Sequence, residues 1–113
     1  MFINLLEETK KVLKENKHSI GNIKYVRNAE GYIPIADFVE AAQNFNYDNE
    51  SKEPQVDPAL TIVGKFWWLS RIYLDKHEQW MFHFKPKKPE LLAVGFTLKN
   101  TRATKQTNKE SKD

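Results

Sequence analysis

Acid–base or nucleophilic catalysis needs a titratable group within reach of a nucleophile or a second carboxyl, and a metal needs several ligands at compatible spacing. The 113-residue sequence offers His18, His77 and His83, the acid pairs Asp37/Glu40 and Asp75/Glu78, and Ser70 on an aromatic stretch. The histidines fall at a helix end, a turn and a strand, with no His-x-x-x-His pair and no carboxylate at ligand spacing. Asp37 and Glu40 are three apart on a helix and read as a solvated edge. Asp75 and Glu78 flank a turn, where an Asp side chain takes up nearby backbone donors. Ser70 lacks the Gly-x-Ser-x-Gly elbow, and the four glycines, at 21, 31, 64 and 95, build no nucleotide loop. With no cysteine, disulfides and thiolate metal sites are excluded. The expectation is a protein that is no enzyme and holds no metal or cofactor. The one catalytic reading kept beside it is a small hydrolase using His83 with Asp75 or Glu78.

Binding chemistry is better represented. Three Trp, four Tyr and seven Phe stand in a chain with net charge +3. Residues 1–98 hold 13 basic and 13 acidic side chains, so the excess lies in residues 99–113, where Lys99, Arg102, Lys105, Lys109 and Lys112 face Glu110 and Asp113. A neutral body with a basic tail argues against a long row of phosphate contacts. A cluster at Lys85, Lys87 and Lys88 is what the body itself offers, and a basic end is ordinarily a solubilising one. No apolar run reaches the ~20 residues of a membrane span, and no basic leader region opens the chain, so a cytoplasmic protein with no membrane partner is expected.

The elements that position these residues follow from periodicity. Leu5, Leu6, Val12 and Leu13 recur at helical spacing within 3–17, with Asn4 as a candidate N-cap and Gly21 as the exit. Residues 22–27 set Ile23 and Tyr25 against Lys24 and Arg27, and Asn28-Ala29-Glu30-Gly31 is turn chemistry before Tyr32 and Ile33, which makes a small hairpin. Ile35, Phe38, Val39, Ala42 and Phe45 set a second helix. Residues 46–58 carry a local charge of −3 and read as a mobile acidic loop. A strand at 60–63 precedes a hairpin of Phe66–Leu74 and Gln79–Lys85, closed by Asp75-Lys76-His77-Glu78. Residues 91–98 fit either a strand or a short helix, and 99–113 should be disordered. The fold class expected is α+β: residues 1–98 as one domain, two helices on a mainly antiparallel sheet of four or five strands.

With Leu74 opposite Gln79, one hairpin face holds Trp67, Leu69, Arg71, Tyr73, Trp80, Phe82 and Phe84 and should pack on the helices. The other holds Trp68, Ser70, Ile72, Leu74, Gln79, Met81, His83 and Lys85, which is more apolar than a solvated face normally is. Large apolar residues usually end in their own core, so cover by residues 91–98 is the plain expectation. A second copy of the chain, giving a homodimer, or a partner protein is the alternative.

Leu60-Thr61-Ile62-Val63-Gly64, Trp67-Trp68-Leu69-Ser70-Arg71, Tyr73-Leu74-Asp75, Glu78, Trp80, Phe82 and Pro86-Lys87-Lys88-Pro89 resemble a family of short uncharacterised proteins encoded by phages and prophages of low-GC Gram-positive bacteria. The likeness spans roughly residues 20–89 and is specific in the hairpin. Asn49-Glu50-Ser51-Lys52-Glu53-Pro54 stands where that family is Gly-rich, the turn lacks its Gly, and Met81 replaces a Trp. The resemblance implies a small phage protein that binds and blocks a host protein, an anti-CRISPR-like inhibitor of a defence nuclease being one form. It carries no catalytic residue. The leading expectation is thus an interaction module in the bacterial cytoplasm, with Trp68, Ile72 and Met81 as anchors and Tyr47, Asp48, Glu50 and Glu53 as a rim. The alternative is a single-stranded nucleic-acid binder using Lys85, Lys87, Lys88, Arg102 and Lys105.

Overall fold

Asn4 ends strand β1 (Phe2–Asn4) and caps helix α1 (Leu5–Glu15), its side chain accepting the Glu7 N–H at 3.0 Å. The computed structural model describes residues 1–86, Gly95 and Leu98. Lys87, Lys88, Arg102, Lys105, the 91–98 segment as an element and the expected disorder of 99–113 therefore lie outside the described residues. Helix α1 stops earlier than Gly21. Lys17 takes a left-handed φ of 66°, its N–H reaching Lys14 O at 3.0 Å and the His18 N–H reaching Leu13 O at 2.8 Å. This is a Schellman ending on a lysine, and it turns His18 onto the Trp67 indole, with centroids 4.8 Å apart.

After a 3₁₀ turn at Ile20–Asn22 come β2 (Ile23–Asn28), β3 (Gly31–Ile33), α2 (Ile35–Gln43), β4 (Asn46–Asp48), β5 (Thr61–Gly64), β6 (Trp67–Leu74) and β7 (His77–Phe84). The β2–β3 turn is set by Asn28, whose side chain accepts the N–H groups of Glu30 and Gly31 at 2.8 and 3.2 Å. Five strands form one sheet in the order β3-β2-β5-β6-β7, antiparallel throughout. Both helices lie on its inner face. Leu5, Leu6, Leu13, Phe38 and Ala42 from the helices close on Val26, Ile62, Trp67, Leu69 and Trp80 from the sheet. The architecture is α+β, as the periodicities predict.

Three local features depart from expectation. Residues 2–4 pair with 46–48 as a separate two-stranded sheet, Ile3 opposite Tyr47, where the sequence reads as helix start and loop. Three residues are too few to show a period of two, and tertiary pairing decides. In β2 a bulge between Ile23 and Tyr25 puts Ile23 in the core and Tyr25 on the opposite face, although simple alternation places both together. The large hairpin closes on two residues, Asp75 and Lys76, both at positive φ (52° and 62°), with Leu74 opposite His77 and not Gln79. That slip is two residues, so every side chain keeps its predicted face; a slip of one would have exchanged the faces.

Candidate functional site

The inner face of the hairpin carries a polar cluster inside the apolar core. Arg71 lies on β6 with its side chain 2% exposed. Its Nη1 is 3.3 Å from Glu8 on α1, and its Nη2 is 3.5 Å from Glu78 on β7. Nη2 also donates to the Tyr47 hydroxyl at 2.8 Å, and the guanidinium sits 4.6 Å from the Trp80 ring centre. Tyr47 in turn donates to Glu8 at 2.6 Å, and Trp80 donates its indole N–H to Thr9 Oγ1 at 2.8 Å. Glu78 accepts the backbone N–H groups of Gln55 and Val56 at 2.7 and 2.9 Å. The acidic 46–58 stretch is consequently pinned, and Tyr73 adds a hydrogen bond to Ser51 O at 2.8 Å. The loop reading holds from Asn49 to Leu60, tied to the hairpin by these bonds, but not for Asn46–Asp48, which forms β4.

Tyr47 is accordingly a core residue, 3% exposed, and not part of a rim. Burial, reinforced by its bond to the Glu8 carboxylate and opposed by Arg71, raises its hydroxyl well above the usual value of 10. Because the folded state holds this proton more tightly than the unfolded state, the associated stability is complete below pH 10 and falls as pH rises beyond it. The 295 nm absorbance difference between wild type and Tyr47→Phe should therefore develop together with alkaline unfolding followed by circular dichroism. A Tyr47 titration completed in still-folded protein near pH 10 contradicts this placement.

The other rim residues separate from the anchors. Asp48 and Glu50 take the Met1 amino group at 2.8 and 3.2 Å, and Glu50 also approaches His77 at 3.8 Å. The hydrogen bond from the Met1 ammonium, with a second from the Glu50 N–H, holds the Asp48 carboxyl below its usual range. Glu53 is exposed on the same loop. The catalytic arrangement of His83 with Asp75 or Glu78 does not form. Glu78 is occupied on the opposite face and Asp75 lies in the tip of the hairpin, while His83 Nε2 is 2.7 Å from Ser70 Oγ.

Trp68, Ile72 and Met81 do come together, on the outer face of the sheet. Trp68 and Met81 are 38% and 40% exposed, and Ile72 is half-buried. Register extends this face beyond the hairpin: Tyr25 lies opposite Val63, Val63 opposite Trp68, and Trp68 opposite His83. Trp68 stacks on His83 with centroids 4.9 Å apart and an interplanar angle of 11°, and Tyr25 meets Tyr32 edge-on at 5.2 Å. Arg27 and Thr61 complete a shallow depression of about 410 Å³ beside Tyr25 and Trp68. The outward positions of the five strands, namely Tyr32, Tyr25, Arg27, Thr61, Val63, Trp68, Ser70, Ile72, Leu74, His77, Gln79, Met81 and His83, include no Asp or Glu. Tyr25 escaped sequence reasoning because the bulge is invisible in the alternation; its neighbour Arg27, next-but-one on the strand, was the available clue to an outward side.

Compared with protein-family models, curated proteins and solved structures, the chain matches none.

Proposed function

We propose that the protein is a binding module that occupies a partner macromolecule through the outer face of its five-stranded sheet and performs no catalysis. The observation that carries this reading is the aromatic and apolar centre of that face, Tyr25, Trp68 and Met81, each about two-fifths exposed, with Tyr32 and Leu74 on the same face exposed further still. Tyr, Trp, Met and Arg are the residue types that binding surfaces concentrate. The likeness of residues 60–89 to phage proteins supports a partner in the cytoplasm of a bacterial host and an action by obstruction, the blocked host protein being a defence nuclease in the form that resemblance implies. The Ser70–His83 pair favours no competing hydrolase, since a base of that kind is normally oriented by a third group and the outward strand positions among the described residues offer no carboxylate.

Affinity capture from host lysate, with proteins identified by mass spectrometry and co-purifying nucleic acid assayed, tests the reading. Trp68→Asp/Met81→Asp should remove the captured species while leaving the circular dichroism spectrum and melting cooperativity intact. Unchanged capture by this folded variant removes the outer face from consideration. Light scattering over a concentration series separates out the homodimer, which a strictly monomeric mass excludes.

A further inference from the structure

Resting on the reading of the outer face as the binding face, we propose that Tyr25, Trp68 and His83 form a stacking platform for the unpaired bases of a single-stranded nucleic acid, with Lys24, Lys65 and Lys85 drawing in its phosphates. The rings lie on one line across β2, β6 and β7, joined by the Val63 register position. Two strand spacings, about 10 Å, separate Tyr25 from Trp68. Exposed sheet faces that present aromatic rings in this way stack bases without needing hydrogen-bond readout.

Charge decides between occupants. The chain's neutral body argues against nucleic acid only while its charges are counted together. Sorted by position, the acids among the described residues fall on the helices, loops, turns, strand β4 of the small sheet and the inner face of the large one, and its outward strand positions carry none. The antiparallel topology brings the start of β2 and the ends of β5 and β7 to one end of the sheet. Lys24 therefore adjoins Tyr25, Lys65 follows Val63 by two residues, and Lys85 follows His83 by two; all three lysines are exposed. Arg27 supplies a further cation on the face itself. Aromatic rings fringed by cations, with no acid among the described outward strand positions, complement a polyanion with π-faces. A protein partner calls for no such one-sided charge.

Fluorescence polarisation of the full chain with a labelled 15-nucleotide oligo-dT, its RNA counterpart oligo-rU and a DNA duplex tests this at 50 and 200 mM salt. The expected result is preference for the single strands, quenching of tryptophan emission, and weakening with salt at a log–log slope of about 0.7 per phosphate contacted. Trp68→Ala should weaken binding about tenfold, Trp68→Phe should restore most of it, and Lys24→Gln/Lys65→Gln should flatten the salt slope. Melting curves establish that each variant is folded. Absence of any polarisation change at 50 mM salt overturns the proposal. So does binding that survives Trp68→Ala and Tyr25→Ala but is lost in Arg102→Gln/Lys105→Gln, since the tail is then the ligand site. If oligonucleotides fail while Trp68→Asp/Met81→Asp still abolishes capture of a host protein, the ligand class falls and the binding face stands. If that variant changes no capture either, both fall.

Discussion

Replacing Arg71 by Met should lower the unfolding free energy by about 3–5 kcal/mol, the range for removing one partner of a buried ion pair. The aliphatic stem of Arg71 is largely kept by Met, so the loss is electrostatic. Glu8 and Glu78, with side chains 13% and 2% exposed, would face each other across the vacated guanidinium. Each carboxylate also holds structure in place: Glu8 takes the Trp80 backbone N–H at 3.0 Å, and Glu78 fixes Gln55 and Val56. Repulsion between them would therefore loosen α1 and the 49–56 segment together. The midpoint of urea unfolding measures the effect, and neutralising both acids in Glu8→Gln/Arg71→Met/Glu78→Gln should recover most of it. A cost below about 1 kcal/mol for Arg71→Met shows that the guanidinium is not the counter-ion of this cluster. Arg71 Nε has no hydrogen-bond partner among the described residues, so even the native cluster carries a desolvation cost. Its return is positional: four elements, α1, β4, β6 and β7, meet at one side chain.

Gly64→Ala should be comparably damaging for a steric reason. A Cβ built at Gly64 falls 2.0 Å from Trp67 Cε2 and 2.3 Å from Nε1. The backbone there is ordinary β geometry, so the glycine serves close approach and not conformational freedom. Trp67 is 3% exposed and belongs to a three-ring cluster, 4.8 Å from His18 and 5.9 Å from Phe82, which are themselves 5.9 Å apart, so the buried indole has little room in which to move. Overpacking of this kind costs about 3 kcal/mol, at the upper end of its usual range, because a strand or a buried indole must shift. A double-mutant cycle isolates the contact. In a Trp67→Leu background the same glycine substitution should cost less than half as much. Equal costs in the two backgrounds would show that Gly64 is required for another reason.

Much of the fold is legible in the sequence because two periods dominate it. The spacing of Leu5, Leu6 and Leu13 and of Phe38 and Ala42 gives the helices, and the alternation through Trp67–Leu74 and His77–Phe84 gives the hairpin with its two faces. The faces were legible even with the turn misread, since a two-residue change of register conserves parity. The three-residue strands β1 and β4 were not, because nothing local distinguishes them from a helix start and a polar loop. Anchors Trp68, Ile72 and Met81 followed from parity. Tyr47 was misassigned because an aromatic in a polar segment reads as surface until Glu8 and Arg71, 39 and 24 residues away in sequence, are seen beside it. Arg71 itself carried a signal. A charge placed among Trp67, Leu69 and Trp80 on an apolar strand face has to find buried partners, and Glu78, opposite Tyr73 and so diagonal to Arg71, is one, although in the sequence it reads as part of the turn.

The β7 strand lies at the border of the sheet, where unpaired donors ordinarily invite another chain to add a strand. Here the Glu78 N–H is taken by Asn49 O at 2.9 Å and the Trp80 N–H by the Glu8 carboxylate. Half of the border is thereby sealed by the molecule's own loop and helix, and the opposite border is β3, only three residues long. Edge-to-edge strand addition, the route to fibrils for exposed β-proteins, is therefore hindered along that half of the border. A chain that shows its aromatics on a sheet face thus keeps part of that sheet's border from pairing with another copy.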